Sequence, residues 1–251
     1  MIPVKSEREL TLMERSGALL GRILKDVGSV IKPGVTTAAV DAWIEKRIAE
    51  GGAQPSFKGY RGFPAAACIS VNDEVVHGIP SQKRVLHEGD IVGIDVGVCL
   101  HGYHTDAART FAVGAVSAEA KRLMEVTRQS FFEGVARAVA GARIGDIGHA
   151  VQTYVEKEGF SVVRALTGHG IGGNVHEEPD IPNYGREGKG PRIQPGMTLA
   201  VEPMVNAGGC DVRMLPDGWT IVTEDGSLSA HYENTIAITE NGPPRILTLV
   251  E

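Results

Sequence analysis

Residues Gly93 to Phe111 read GIDVGVCLHGYHTDAARTF. Apolar and polar residues alternate, a turn falls at His101-Gly102, and the alternation resumes, which predicts a two-stranded hairpin. Asp95 lies on one arm and Asp106 on the other. With the turn placed midway between them, they are expected to stand directly opposite on one face, with Cβ atoms about 4.5–5.5 Å apart. The neighbours Ile91, Val92, Ile94, Val96 and Val98 read as core. A single Asp would be read as a surface or turn residue. Two ionised carboxylates that close, away from water, repel each other and have raised pKa values unless a cation lies between them. The hairpin therefore asks for metal, and metal asks for further His or carboxylate ligands on other strands.

Candidates for those ligands stand in the second half. Met197 to Met204, MTLAVEPM, sets Glu202 in a predicted strand, and Glu233 lies likewise in HYENTIAIT. A buried Glu without a partner is among the least expected features of a soluble protein. His169 sits between Gly168 and Gly170, and glycines there would let the backbone approach a ligand closely. Asp95, Asp106, His169, Glu202 and Glu233 are hard or borderline donors. Four carboxylates and one imidazole suit a pair of divalent ions such as Mn, Fe, Co or Zn, whose charge they balance.

Around these residues the chain predicts scaffold. Ser6-Glu7-Arg8-Glu9 has the form of a capping box, opening a helix that ends near Gly28. Thr36 or Thr37 opens a second helix with Val40, Trp43, Ile44 and Ile48 inward, stopped by Gly51-Gly52. Ser117 starts a third, and Asp146 is expected to cap a fourth that stops at Gly159. Two helices followed by strands occur twice, which predicts one domain over 1–251 with two pseudo-symmetric halves, about 1–115 and 116–251.

Composition bounds the rest. The chain has 251 residues, 42% hydrophobic and 22% charged, which suits an ordinary globular protein. With 25 Lys and Arg against 31 Asp and Glu, its formal charge of −6 argues against a nucleic-acid backbone as main partner. Cys68, Cys99 and Cys210 are odd in number and unpatterned, which predicts free thiols in a reducing compartment. No apolar run is long enough to span a bilayer, so a cytoplasmic protein is expected.

The Asp pair on its hairpin, the GHGIG segment, the VEPM strand and the YENT strand together resemble the type I methionine aminopeptidases, and the similarity runs from Ser6 to the last strand. The resemblance implies the α/β (α+β) pita-bread fold, a curved antiparallel sheet carrying the metals with helices on its outer face. It implies two divalent metal ions per chain (Co, Mn, Fe or Zn), with Asp106 and Glu233 bridging, Asp95 completing one ion, and His169 with Glu202 completing the other. A water between the ions would attack the first peptide bond, with Glu202 as proton acceptor. His176 would hold the carbonyl oxygen and His77 would meet the scissile nitrogen. Tyr60, Phe63, Cys68 and Trp219 would form the methionine pocket.

The implied activity is removal of the initiator methionine from nascent polypeptide N-termini, at the ribosome or after release, when the second residue is small, by a monomer that uses no membrane. Val175 and Gly173 depart from the aromatic and basic residues that many relatives carry there. A proline-directed peptidase of the same fold is a rival, disfavoured because Asp95 comes too early to leave room for the N-terminal domain of such relatives. A non-enzymatic binding protein is another, disfavoured because all five ligands are present.

Overall fold

The computed structural model describes residues 2–250. Helix α1 (Glu7–Val27) opens with the expected capping box: the Ser6 hydroxyl accepts from Glu9 N–H while the Glu9 carboxylate accepts from Ser6 N–H at 2.8 Å. Its face of Leu10, Met13, Leu20, Ile23 and Leu24 is buried, as is the Val40, Ile44 and Ile48 face of α2 (Thr37–Glu50). Trp43 is half-buried at the edge of that core, with the Arg47 guanidinium over its ring. Thr36 caps α2 and Gly51 ends it.

Short β1 (Gln54–Pro55) and a 3-10 turn at Tyr60–Gly62 precede β2 (Ala67–Val71) and β3 (Glu74–Val76). The hairpin follows as β4 (Ile91–Leu100) and β5 (Tyr103–Ala112). Strand β4 alternates sharply. Val92, Ile94, Val96 and Val98 are fully buried in one core with α1 and α2, while Asp95 and Gly97 occupy the other face.

The register corrects one expectation. The two-residue turn pairs Leu100 with Tyr103, so Asp95 stands opposite Ala108 and Asp106 opposite Gly97. The true midpoint lies one residue beyond the point that sets the aspartates face to face. They remain on one face, as diagonal neighbours, with their carboxyl groups close enough to shift each other's titration.

The second half brings α3 (Ala118–Val135), capped by Ser117, and α4 (Ile144–Lys157). Asp146 does not cap α4. Arg143, in extended backbone, holds the cap position, and Asp146 is the third helical residue, its carboxylate accepting from Arg143 N–H at 2.7 Å and also from Gly188 N–H. Its carboxyl is held below the usual range chiefly by those two amides.

The remaining strands are β6 (Ser161–Val162), β7 (Thr167–Gly170), β8 (Glu177–Pro182), β9 (Thr198–Val201), β10 (Met204–Asn206), β11 (Val212–Met214), β12 (Ile221–Thr223), β13 (Ser229–His231), β14 (Asn234–Ala237) and β15 (Arg245–Ile246). Every named strand pairing is antiparallel. Neither Glu202 nor Glu233 lies inside a strand, contrary to the sequence reading. Each occupies a gap where the chain passes between the five-stranded sheet β15-β14-β9-β7-β8 and the three-stranded sheet β13-β10-β6.

The register is nevertheless continuous across those gaps. Asn234 pairs with Val201 and Met204 with His231, which sets Glu202 opposite Glu233. Beside them runs β5. Ala108 and Glu233 exchange backbone hydrogen bonds at 3.3 and 3.0 Å, the Thr110 hydroxyl joins both backbone groups of His231, and the Thr235 hydroxyl does the same to Asp106. On the far side His169 of β7 pairs with Ala200 of β9. Five neighbouring chain segments thus lie side by side, and each contributes one of the five predicted ligands.

Among the described residues no helix is long and apolar enough to cross a membrane. Cys68, Cys99 and Cys210 are free thiols.

Candidate metal centre and substrate cavity

Charge without compensation marks the centre. Six buried side-chain atoms lack a hydrogen-bond partner among the described residues, and four of them meet here: Asp95 Oδ1, Asp106 Oδ1, Glu233 Oε1 and His231 Nε2. Unpaired buried polar atoms are rare, so this concentration itself points to a ligand that satisfies them. Burial, with repulsion among the carboxyl groups, pushes Asp106, Glu202 and Glu233 well above the ordinary carboxylate range. Burial pushes Asp95 up to about 7. That is the electrostatic signature of a site built to hold a cation.

The imidazoles shift the other way. Burial lowers His169 to about 4, and burial with the neighbouring His169, Arg61 and His77 lowers His176 to about 3. Both are therefore neutral at pH 7. His169 Nδ1 lies 2.9 Å from the carbonyl of Gly170, which makes Nδ1 the protonated nitrogen and leaves the Nε2 lone pair free to bind metal. Nε2 sits 3.6 Å from Glu202 Oε1 and 4.0 Å from Asp106 Oδ2.

Ligand atoms gather in two overlapping groups, each with atoms within 4.8 Å of one another: Asp106, His169 and Glu233, and Asp95, His231 and Glu233. The donor set, mainly oxygen with imidazole nitrogen, fits divalent ions of the borderline first-row class. Glu233 belongs to both groups, as a shared carboxylate between two ions would.

The glycines around His169 also serve the packing of the sheet. A Cβ at Gly168 would lie 2.4 Å from the Ala200 carbonyl oxygen, and one at Gly170 would lie 2.2 Å from that of Glu178. They let β7 press between its neighbouring strands, which brings His169 to the carboxylates.

Above the carboxylates opens a cavity of about 470 Å³, and all eleven residues singled out from the sequence line it. Asp95, Asp106, His169, Glu202 and Glu233 form its floor. Tyr60, Phe63, Cys68 and Trp219 form an aromatic wall, with Phe63 meeting Trp219 edge-on at 5.2 Å between ring centres. Burial, then the charges of Asp95, Asp106 and Glu233, pushes the Cys68 thiol up, so it stays protonated and serves as wall.

His176 stands at the mouth, stacked on Tyr60 at 5.3 Å and 4.0 Å from the His169 ring. His77 faces the edge of Trp219 and has φ of 60°, in the left-handed region that non-glycine residues rarely adopt. The strained backbone follows from Gly78, whose carbonyl accepts from Ile69 N–H and which has no room for a Cβ beside the Ile69 carbonyl.

The sequence reading does not include Phe57, Arg61 or Asp180, which also line this cavity, or His231 beneath it. The first three stand in loops or on an exposed strand without a pattern. His231 did carry a signal, because it precedes Glu233 by two residues, the spacing that puts strand side chains on one face. A larger cavity, about 550 Å³, lies between α1, α3 and β5; among the described residues its only carboxylate is Glu125, and His231 lines it from the other side.

Known proteins carry the same plan. Residues 11–240 match the model of metallopeptidase family M24. A methionine aminopeptidase of Clostridium acetobutylicum is 54% identical over 251 residues, the whole of both chains. Methionine aminopeptidase 1 of Bacillus subtilis is 52% identical over 242 residues, covering 96% of this chain and 97% of its own. In solved structures, methionine aminopeptidase from Thermotoga maritima superposes with a TM-score of 0.97 at 44% identity, with both chains covered in full. A pita-bread α/β fold, a row of converging carboxylates and full-length identity above one half agree: this chain belongs to metallopeptidase family M24 and, within it, to the methionine aminopeptidases.

Proposed function

We propose that the chain removes the initiator methionine from nascent polypeptides whose second residue is small, in the cytoplasm and with two divalent ions. One observation carries the reading: the four buried, mutually repelling carboxylates and His169 form the floor of a cavity whose wall is aromatic. In this reading Asp95, Asp106, His169, Glu202 and Glu233 would hold the ions. When bound, such ions polarise the substrate carbonyl and raise the acidity of water.

The residues of the chain divide the remaining work. Tyr60, Phe63, Cys68 and Trp219 enclose the methionine side chain, where each sulfur–aromatic contact contributes about 0.3–1.5 kcal/mol. His176, neutral and held against Tyr60, donates from its ring N–H to the carbonyl oxygen as negative charge develops there. Glu202 accepts the proton of the attacking water on a carboxylate oxygen. His77 meets the scissile nitrogen and helps protonate the leaving amine.

The test offers the purified chain, given Mn or Co and then a chelator, a mixture of Met-Ala-Ser, Leu-Ala-Ser, Met-Leu-Ser and Ala-Pro-Ser, read by mass spectrometry. Loss of the first residue from Met-Ala-Ser alone, abolished by chelator, is the expected result. Cleavage of Ala-Pro-Ser instead would move the chain to proline-directed chemistry. No cleavage with two metals bound would leave a binding role. Full turnover by His169→Ala at matched metal content would overturn the ligand assignment.

A further inference from the structure

We propose that His231 is a metal ligand, supplying through Nε2 a nitrogen donor to the ion that Asp95 completes. The inference deepens the two-metal reading above and rests on it.

His231 is 3% exposed, and its Nε2 is buried with no hydrogen-bond partner. His231 also borders the cavity between α1, α3 and β5, but its Nε2 stands on the carboxylate side. It lies 3.8 Å from Glu233 Oε2 and groups with Asp95 and Glu233, whose own oxygens Asp95 Oδ1 and Glu233 Oε1 are equally orphaned. One ligand atom from each of the three residues lies within 4.8 Å of the others, and each residue also carries a buried atom without a partner; one cation would account for both facts.

The spacing matches the other half of the centre. His169 Nε2 stands 3.6 Å from Glu202 and 4.0 Å from Asp106, and the His231–Glu233 distance of 3.8 Å falls between these. A hydrogen bond from His231 to either carboxylate would need about 2.7–3.2 Å. The ring is held at metal-ligand range and not at hydrogen-bond range.

Its placement is also built. The Thr110 hydroxyl donates to the His231 carbonyl and accepts from its N–H, both at 2.9 Å, and His231 pairs with Met204 across the strand. With His231 included, each ion would have three carboxylates, two of them shared, and one imidazole. The nitrogen on both sides favours Fe, Co or Zn over the harder Mn for the pair.

The experiment loads the full-length chain, labelled with ¹⁵N-histidine, with ¹¹³Cd(II) and records cadmium NMR alongside the metal content. Two cadmium signals are expected, each split by one directly bonded nitrogen. His231→Gln is expected to keep one split signal and turn the other into a singlet, and to weaken binding of one ion at least about tenfold, the lower end of what loss of an outer-shell partner costs. Two ions bound to the unsubstituted chain with only one signal split would overturn the role of His231. Fewer than two ions bound would instead overturn the two-metal reading itself. The unsubstituted spectrum decides the question even if the variant folds poorly.

Discussion

Thr235 grips the backbone of Asp106 with a single hydroxyl: Oγ1 accepts from Asp106 N–H and donates to the Asp106 carbonyl, both at 2.9 Å. The two residues lie in strands from opposite halves of the chain, and this clamp, with the backbone pair Ala108–Glu233, sets how far Asp106 stands from Glu233. Replacing Thr235 with Val keeps the shape and removes both bonds, leaving buried backbone groups unsatisfied. The expected cost is about 1–3 kcal/mol of unfolding free energy, measured as a lower denaturant midpoint at unchanged slope. Metal affinity should fall roughly tenfold or more in a titration, and Thr235→Ser should restore most of both.

Metal removal should give the protein a distinctive pH dependence. Without ions, Asp95 has a folded pKa of about 7 and Asp106, Glu202 and Glu233 lie higher than ordinary carboxylates, so the folded chain holds protons that the unfolded chain has released. Their stabilising contribution is full below about pH 4 and is lost as pH rises through the folded values. His169, His176 and His231, with lowered pKa values, act oppositely, but only below about pH 6.5. Above that pH the carboxyl groups act alone. Chelated protein should lose about 1.4 kcal/mol per pH unit for each carboxyl that retains its proton. Thermal unfolding between pH 6.5 and 8 checks this, and metal-loaded protein should show a nearly flat profile there.

Trp219 is half-buried and touches Phe63 and His77 edge-on without approaching a metal ligand. Trp219→Ala should therefore lower kcat/KM for Met-Ala-Ser by about 2- to 10-fold, the loss of one sulfur–aromatic contact, while metal stoichiometry holds. Unchanged kcat/KM would remove Trp219 from the pocket.

Gly170→Ala tests the packing that delivers His169. The added methyl would meet the Glu178 carbonyl at 2.2 Å, against backbone that cannot rotate away. A loss of at least about 1–3 kcal/mol is expected, with weakened metal binding, because β7 must move away from β8. Calorimetry with and without metal separates the two effects.

The hairpin is legible in the sequence because the first arm's alternating apolar residues and the His101-Gly102 turn leave little choice of face. Its register is less legible, since a shift in turn position by one residue slides Asp106 from Asp95 to Gly97 without disturbing the pattern. Glu202 and Glu233 stand out as acids in apolar surroundings, but apolar runs on both sides hide the gaps they occupy; only the handover between two sheets reveals them. Asp146 looks like a cap because a short acid near a helix start usually is one. Here it works three residues in, reaching back to the Arg143 amide. Tyr60, Phe63, Cys68 and Trp219 come together from three separate stretches, which no local pattern encodes and the family resemblance does.

The gaps at Glu202 and Glu233 interrupt both strands at the same level, where the bond from Tyr232 N–H to the Pro203 carbonyl, at 3.2 Å, stands in place of a regular ladder. Divalent ions at that level would act as rivets through a seam. Loading them should slow amide hydrogen exchange at residues 201–204 and 231–234 far more than in the helices, which have their own bonds. The same ions that do the chemistry would then decide whether the two sheets behave mechanically as one.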